Sequence, residues 1–543
     1  MVFARRSTTL LAAIITSCAM VLSLTACTSD NKTVVDGQTT VTSNSSGGVA
    51  VFTPSDGITL NQQTPLNKWA KLVPDLTKAL VDAGFKKGDI DHTTSDSLDK
   101  QSRAIQDFVV DHLSNNTTGD SGIAIAPDNM TLLVAPVVEA DASTRQYGDY
   151  VSQNLSTNDA TDEGATSDGD SSEDSSSKDD SSNTESDGTA SDEQAQAVDR
   201  LVSSLKLAKE SGMHVVLLGN SIEGYKPDAF VKFSDAQTIG KLQAEKMVSK
   251  LKLDKASKDN PKYIEVLLPY TAVDEKGNAN DSTFAQEAFR GIWQVLGSYY
   301  QKGVVESPSG TLDGKSTEND WQAVAYDAAK EGSTAKVLDK RLAKTDGQST
   351  LTRIDGIITM NDYIASEVVK ELDDLGYTGS AADINPQITI SGIVGNITGK
   401  KDLSRDAVPD PIKSPENDNA NDSSSSDDDA DEDTSASDKD RDSQWPLVTG
   451  YGAYVSNIPS IVNGKQWMTG MEDRQTIATD IAQACAKLNK DEALNSMPSI
   501  RNSEVGGVKK IPTISEPLLA VSASNLKSAL IDPGYISLAD AGL

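Results

Sequence analysis

The sequence predicts an α/β protein of two Rossmann-like lobes, each a parallel sheet flanked by helices, with two disordered acidic insertions. Three observations predict it. Short apolar strand segments alternate with amphipathic helical segments from residue 49 onward. The alternation runs through two successive sets, each of roughly domain size. The acidic tracts interrupt these sets and do not separate them.

In the first set, GVAVFTPSDG (48–57) begins as a buried strand and ends in a polar loop. NKWAKLVPDLTKALVDAGF (67–85) is an amphipathic helix stopped by a glycine, and LDKQSRAIQDFVVDHL (98–113) is a second helix. SGIAIAPDN (121–129) is expected to be a strand and loop, and MTLLVAPVVEADASTRQYGDYV (130–151) a helix. After the first tract, AQAVDRLVSSLKLAKESG (195–212) and HVVLLGNS (214–221) supply a helix and a strand. One β/α unit is therefore open when the tract begins and is completed after it. The entropy of closing a loop rises slowly with length, so such an insertion is tolerated.

The second set begins with the short strand FVKFSD (230–235) and the helix AQTIGKLQAEKMVSKL (236–251). The strand KYIEVLLPYT (262–271) leads to the long helix STFAQEAFRGIWQVLGSYYQKG (282–303). DWQAVAYDAAKEGSTAKVLDKRL (320–342) is helical in pattern. IDGIITMND (354–362) is a strand, and YIASEVVKELDDLGY (363–377) is a helix closed by glycine. PQITISGIVGNITGK (386–400) suggests a hairpin leading into the second tract. WPLVTGYGAY (445–454), RQTIATDIAQACAKL (474–488) and KKIPTISEPLLAVSASNLKSALI (509–531) finish the chain as strand, helix and closing segment.

The net charge of −32 is concentrated. Residues 155–194 hold thirteen acids and one lysine, and residues 415–443 hold twelve acids and two bases. Neither tract has the apolar content to offset the entropy of ordering. The remainder is mildly acidic, with no basic patch interleaved with aromatics, which argues against a nucleic-acid partner.

The N-terminus, MVFARRSTTLLAAIITSCAMVLSLTAC, reads as an export signal. Arg5 and Arg6 precede an apolar core from Leu10 to Leu22 that is short for a membrane span. Leu24-Thr25-Ala26-Cys27 resembles a bacterial lipobox, so Cys27 is the expected lipidation site. Lipid there would hold the chain on the outer face of the cell membrane. The expected division is a signal peptide at 1–26 and a flexible tether at 27–48. Cys485 is then the lone cysteine of the mature chain, within a helical pattern where a small buried side chain is expected.

Several motifs, taken together in their order, resemble one family. They are NKW (67–69), FSDAQTIGKLQAE (233–245), AFRGIWQVLGSYYQKG (288–303), TMND (359–362), WPLVTGYGAYVSNIPSIVNGKQWMT (445–469) and VKKIPTISEPLLAVSASNLKSALIDPGY (508–535). The chain resembles the sugar-binding proteins of bacterial ABC importers, nearest the multiple-sugar and xylose-binding branch. The resemblance implies the type I periplasmic binding protein fold, with two lobes joined by a hinge of three crossings. Those crossings are expected near 220–226, near the loop that directly follows 450, and near 495–510. The first lobe then spans 49–222 with an insertion at 155–194, and the second 223–450 with an insertion at 404–443. Residues 451–543 supply hinge crossings and segments returning to both lobes, including a return to the first lobe around 470–495. A monomer without a cofactor or metal is implied, with a sugar or similar polar solute and an ABC permease as partners.

The same resemblance nominates the ligand contacts. Trp69 keeps the family's aromatic, and Lys68 replaces an arginine. Asn361 and Asp362 are kept, and Asp235 replaces an asparagine. Asn220 ends a Leu-Gly-Asn that replaces Tyr-Asp-Arg. Tyr451 replaces a glutamine and Glu472 a lysine. NANDSTF leaves Asn280 and Asp281. Polar residues would pair with hydroxyls, and aromatic rings would cover an apolar sugar face. Each residue also has a structural role open to it. Trp69 could cover the core at a helix start, and Asn361 could cap the helix beginning near Tyr363.

No nucleophile elbow, phosphate-cradling glycine loop or Cys/His cluster is recognisable, so an enzyme is not expected. Because several family contacts are replaced, a second possibility stands beside solute capture: a surface lipoprotein that keeps the fold for sensing or adhesion.

Overall fold

The structure is a computed structural model describing residues 46–55, 65–115, 125–138, 144–156, 188–273, 280–343, 351–382 and 444–543. The signal peptide, Cys27, nearly all of the tether, the hairpin at 386–400 and most of both acidic tracts lie outside the described residues. Two sheets organise the rest.

The first sheet is built from β1 (Gly48–Pro54), β2 (Ile90–Ser95), β3 (Met130–Val134), β4 (His214–Leu218) and β5 (Ala229–Lys232). These strands are parallel and lie in the order β2-β1-β3-β4-β5. β1 and β3 are apolar runs buried on both faces, as sheets covered by helices require. Around them pack α1 (Trp69–Asp82), α2 (Leu98–Asn115) and α3 (Gly188–Glu210).

The second lobe repeats the plan. It begins with α4 (Ala236–Lys250), β6 (Lys262–Val266), α5 (Thr283–Gln301) and β7 (Val305–Glu306). It continues with α6 (Ser333–Arg341), β8 (Gly356–Ile358), α7 (Asp362–Leu375), β9 (Leu447–Tyr451) and β10 (Met468–Met471). Its parallel strands lie in the order β7-β6-β8-β9-β10. The order matches the first lobe position by position, so both are doubly wound sheets of one topology. α4 and α5 cross at very short range. A Cβ on Gly240 would sit 2.2 Å from the Ala288 carbonyl oxygen, and one on Gly291 would sit 2.0 Å from that of Gln237. The two glycines are what permit this crossing.

The chain passes between lobes three times. After β5 it crosses at Phe233–Asp235 into α4. After β10 it crosses back at Glu472–Asp473 into α8 (Arg474–Leu488), which packs against α1 in the first core. The antiparallel pair β11 (Ile500–Val505) and β12 (Val508–Ser515) then extends the first sheet beside β5. The third passage, Glu516–Leu518, leads to β13 (Leu519–Ser522), antiparallel to β10. Two lobes, three passages and a return of the chain to the first lobe are thus present, but the passages fall outside the expected places. The first comes later because β5 still belongs to the first sheet. The second waits for β10, a short strand with two threonine or glycine positions that carries little strand signature.

Three segments differ from the sequence pattern. Where a helix was expected over 130–151, the described residues are the strand β3 and, from 144, a single 3₁₀ turn followed by extended chain. The tract expected to be disordered over 155–194 is helical from Gly188, where α3 begins. Residues 320–342 are two helices, Trp321–Val324 and α6, because the intervening Ala325–Tyr326 pairs with Leu268–Pro269. No helix among the described residues is long and apolar enough to cross a membrane.

Candidate functional site

In a doubly wound sheet the ligand crevice lies beyond the carboxyl ends of the strands, where the strand order reverses. In the first lobe that point falls between β1 and β3, and in the second between β6 and β8. The segments leaving these strands are the approach to α1, the residues after β3, the start of α5 and the Thr359–Asn361 turn. They meet on one another, and the meeting point is filled by the chain itself. Residues Thr144–Leu155, which follow β3, form a strap between the lobes.

The first lobe holds the strap through Asp149. Its Oδ1 pairs with Lys68 Nζ at 2.6 Å, and its Oδ2 accepts from the Trp69 backbone N–H at 3.1 Å. A carboxylate at the first turn of α1 also meets the positive end of the helix dipole. The Asp149 N–H donates to the Asn67 carbonyl at 2.8 Å, and the Tyr150 hydroxyl donates to that of Lys68 at 2.6 Å. Gly148 makes this approach possible. Its φ is +94°, and a Cβ there would lie 2.5 Å from the Asn67 oxygen. Tyr150 stacks on Phe233 at 4.8 Å and meets Trp69 edge-on at 5.1 Å.

The second lobe holds Gln146 and Tyr147. Asn361 Nδ2 donates to Gln146 Oε1 at 3.1 Å, and the Tyr454 hydroxyl donates to the Gln146 carbonyl at 2.7 Å. The Tyr147 ring packs 4.7 Å from Phe284 and 6.2 Å from Tyr451, within the second core. Beyond Tyr150 the strap runs along the first passage and β4. The Ser152 N–H donates to the Ser234 carbonyl at 3.1 Å, and the Gln153 N–H to Asn220 Oδ1 at 3.0 Å. Asn154–Leu155 pairs in parallel with Ser221–Ile222.

Five of the sequence-nominated residues therefore meet at the strap: Lys68, Trp69, Asn220, Asn361 and Tyr451. Asn361 has the structural role considered for it, since its Oδ1 caps α7 through the Ile364 N–H at 3.0 Å, and its amide reaches Gln146 of the strap. Trp69 is only 2 % exposed and covers the first core, so its contact with the strap is through its backbone and ring edge.

Asp235 and Asp281 line a cavity of about 430 Å³ beside the strap, with Ser152, Gln153, Asn154 and Glu287. That is within the range of roughly 300–1,000 Å³ typical of ligand pockets. Asp235 caps α4 through Thr238 and pairs with Lys232 at 2.7 Å. Burial works to raise its pKa, but Lys232 and Thr238 together outweigh this and hold it below the usual value. Asp281 accepts from the Thr283 N–H at 2.9 Å, and Glu287 pairs with Arg290. These carboxylates have partners of their own and retain lone pairs for hydroxyl donors.

Three nominated residues have other places. Asp362 is fully buried behind the α7 N-terminus. It accepts from the Tyr454 N–H at 2.9 Å, Gln466 Nε2 at 2.7 Å and Thr469 Oγ1 at 2.9 Å. Its role is to tie α7 to β10 and the loop after β9. Asn280 braces the loop before α5 through the Thr271 carbonyl at 2.8 Å. Glu472 is buried in the second passage, where Oε1 accepts from Ser234 and from Tyr451 at 2.5 Å. This links two passages and the end of β9. Burial raises the Glu472 pKa above the usual carboxylate value, against the pull of Ser234 and Tyr451.

The sequence pattern did not single out Gln146, Tyr147, Asp149 or Tyr150. A signal was present: Gln-Tyr-Gly-Asp-Tyr places two aromatics and a turn glycine at the start of a stretch that becomes wholly polar. Aromatics there mark a piece with something to bury.

Comparison with known proteins gave no matching family model and no match among curated proteins. Solved structures of low identity are similar. One is an ABC transporter solute-binding protein from Clostridium phytofermentans with bound β-D-glucose. It is 17 % identical over 91 % of this chain and 99 % of its own, with a TM-score of 0.44. A carbohydrate transporter solute-binding protein from Chloroflexus aurantiacus, in complex with D-glucose, is 18 % identical over 91 % and 97 %, at 0.42. An arabinose-binding protein from Geobacillus stearothermophilus is 9 % identical over 89 % and 99 %, at 0.41.

Proposed function

We propose that this chain is an extracytoplasmic, lipid-anchored binding protein that takes a sugar or similar small polar solute between its lobes and delivers it to an ABC permease. The observation that carries the proposal is the cleft. Polar side chains of the strap (Ser152, Gln153, Asn154), of the first passage (Asp235) and of the second lobe at the start of α5 (Asp281, Glu287) line a cavity of about 430 Å³ beside the meeting point of the two sheets. The export signal and Cys27 motif supply the location, and the three passages supply the hinge that closure around a solute requires.

Buried polar atoms without partners support the same reading. Ser152 Oγ, on a residue that lines the cavity, is one of them. Such atoms are few in folded proteins, and a solute hydroxyl would satisfy this one.

The test is a thermal-shift and calorimetric screen of the full chain against pentoses, hexoses, disaccharides and polyols. A ligand at a hundred times its dissociation constant should add about 2.7 kcal/mol of stability. The expected result is a saturable response to one solute class, weakened by Asp281→Ala and by Asn361→Ala. A flat response to the whole panel, with the protein folded, would contradict the proposal.

A further inference from the structure

We infer that the interlobe cleft is a peptide-binding site whose resident ligand is the chain's own segment Thr144–Leu155. The inference rests on the cleft being the binding site and goes on to say what occupies it.

The strap makes the kinds of contact a bound ligand makes, and it makes them to both lobes. Asp149 presents a carboxylate to Lys68 and to the α1 N-terminus. Gln146 is held by Asn361 and Tyr454 from the other side. Tyr147 inserts a ring into the second core, and three residues later Tyr150 inserts one into the first. Gly148 between them allows the turn and the close approach to Asn67. A segment that divides its anchors between two lobes holds them together, as a captured ligand does.

The fit is incomplete in a way that favours exchange. Ser152 Oγ and Asn67 Nδ2 are buried and complete no hydrogen bond, and the Tyr147 hydroxyl is buried beside Asn361 without a well-aligned one. Each loses water on docking without gaining a well-aligned partner, so docking is weaker than the contact area alone would make it. The strap is continuous with the first acidic tract, whose charge and polarity favour the solvated chain. Release is therefore opposed by the anchors and favoured by the orphaned groups.

A tethered ligand acts at an effective concentration of the order of 1 mM. A strap docked roughly nine-tenths of the time then corresponds to a dissociation constant of about 0.1 mM or tighter for the same peptide when free. The probe is a fluorescent peptide, TRQYGDYVSQNL, titrated into the full chain carrying Tyr147→Ala and Asp149→Ala. Binding at about 0.1 mM or tighter is expected, weakened roughly tenfold in the unsubstituted chain, whose own strap competes. The peptide carrying Tyr147→Ala should bind roughly tenfold more weakly still. A substituted chain that is folded by circular dichroism yet takes no peptide at about 1 mM, ten times the implied constant, would overturn the inference.

The unsubstituted chain supplies a second readout. Trypsin cleavage after Arg145 should be at least about tenfold slower than in the free peptide, because only the undocked fraction is cut. Equal rates would overturn the inference. The solute screen separates the two claims. Peptide binding with no sugar response would keep the strap and remove the sugar. A sugar bound alike by both forms, without peptide binding, would remove the strap and keep the sugar.

Discussion

Tyr147→Ala is expected to destabilise the protein by about 1–2 kcal/mol. Truncating a buried aromatic ring costs roughly 3–5 kcal/mol. The loss is reduced here because the substitution also removes a buried phenol that has no well-aligned partner, a group that costs about 1–3 kcal/mol. Tyr147→Phe separates the two terms. It keeps the ring against Phe284 and Tyr451 and deletes only a buried hydroxyl that makes no well-aligned hydrogen bond beside Asn361, so it should stay within about 1 kcal/mol of the natural protein. Calorimetric unfolding of the three proteins measures both. A loss for Phe as large as for Ala would mean that the hydroxyl has a partner and that the packing described for the ring is wrong.

Asp362→Ala is the second large effect, and its size should depend on pH. The carboxylate is the acceptor for Gln466, Thr469 and the Tyr454 amide, all buried with it. Removing it leaves three donors without that acceptor, a cost of about 3 kcal/mol or more. Burial also pushes the Asp362 pKa up to about 6, against the pull of those donors. A folded-state value above the unfolded value of roughly 3.9 means that the native state binds the proton more tightly. The associated stabilisation is complete below the unfolded value and is lost as pH rises through about 6. It amounts to roughly 3 kcal/mol for a two-unit rise. The natural protein should therefore gain stability relative to Asp362→Ala as pH falls from 7.5 to 5. Parallel pH profiles for the two proteins would show that Asp362 does not titrate in that range.

The lobes were legible in the sequence because their strands are unbroken apolar runs. GVAVF, HVVLL and YIEV permit few other assignments. The cores agree: Val49, Val216 and Ile264 are all buried. The passages were misplaced because their limits depend on which sheet claims a short strand. Ala229–Lys232 could have begun the second lobe by pattern alone, and only its pairing with β4 puts it in the first. The site was legible as a set of positions but not as roles. Lys68, Trp69, Asn220, Asn361 and Tyr451 do gather at the cleft. Asp362 does not face it, because its carboxylate satisfies donors on β10, just before β10 and in the loop after β9. Nothing local in Thr-Met-Asn-Asp distinguishes an aspartate facing a ligand from one facing its own strand.

The strap was the largest gap between sequence and structure. Residues 130–151 carry enough apolar and polar alternation to suggest a helix. The chain instead leaves β3 through Pro136, and Gly148 turns it at a positive φ. Its order comes from tertiary contacts to Asn67, Lys68, Asn361 and Tyr454, all distant in sequence. Such contacts leave no periodicity to detect.

The most direct test of the occupied cleft is hydrogen exchange on the full chain without added ligand, followed over residues 144–156. The amides of Asp149, Ser152 and Gln153 donate to Asn67, Ser234 and Asn220. Exchange of these amides at least about tenfold slower than in an unstructured peptide, and faster than in the neighbouring helix α1, is predicted. Exchange at the rate of an unstructured peptide would mean that the strap is not docked and that the cleft of the free protein is open.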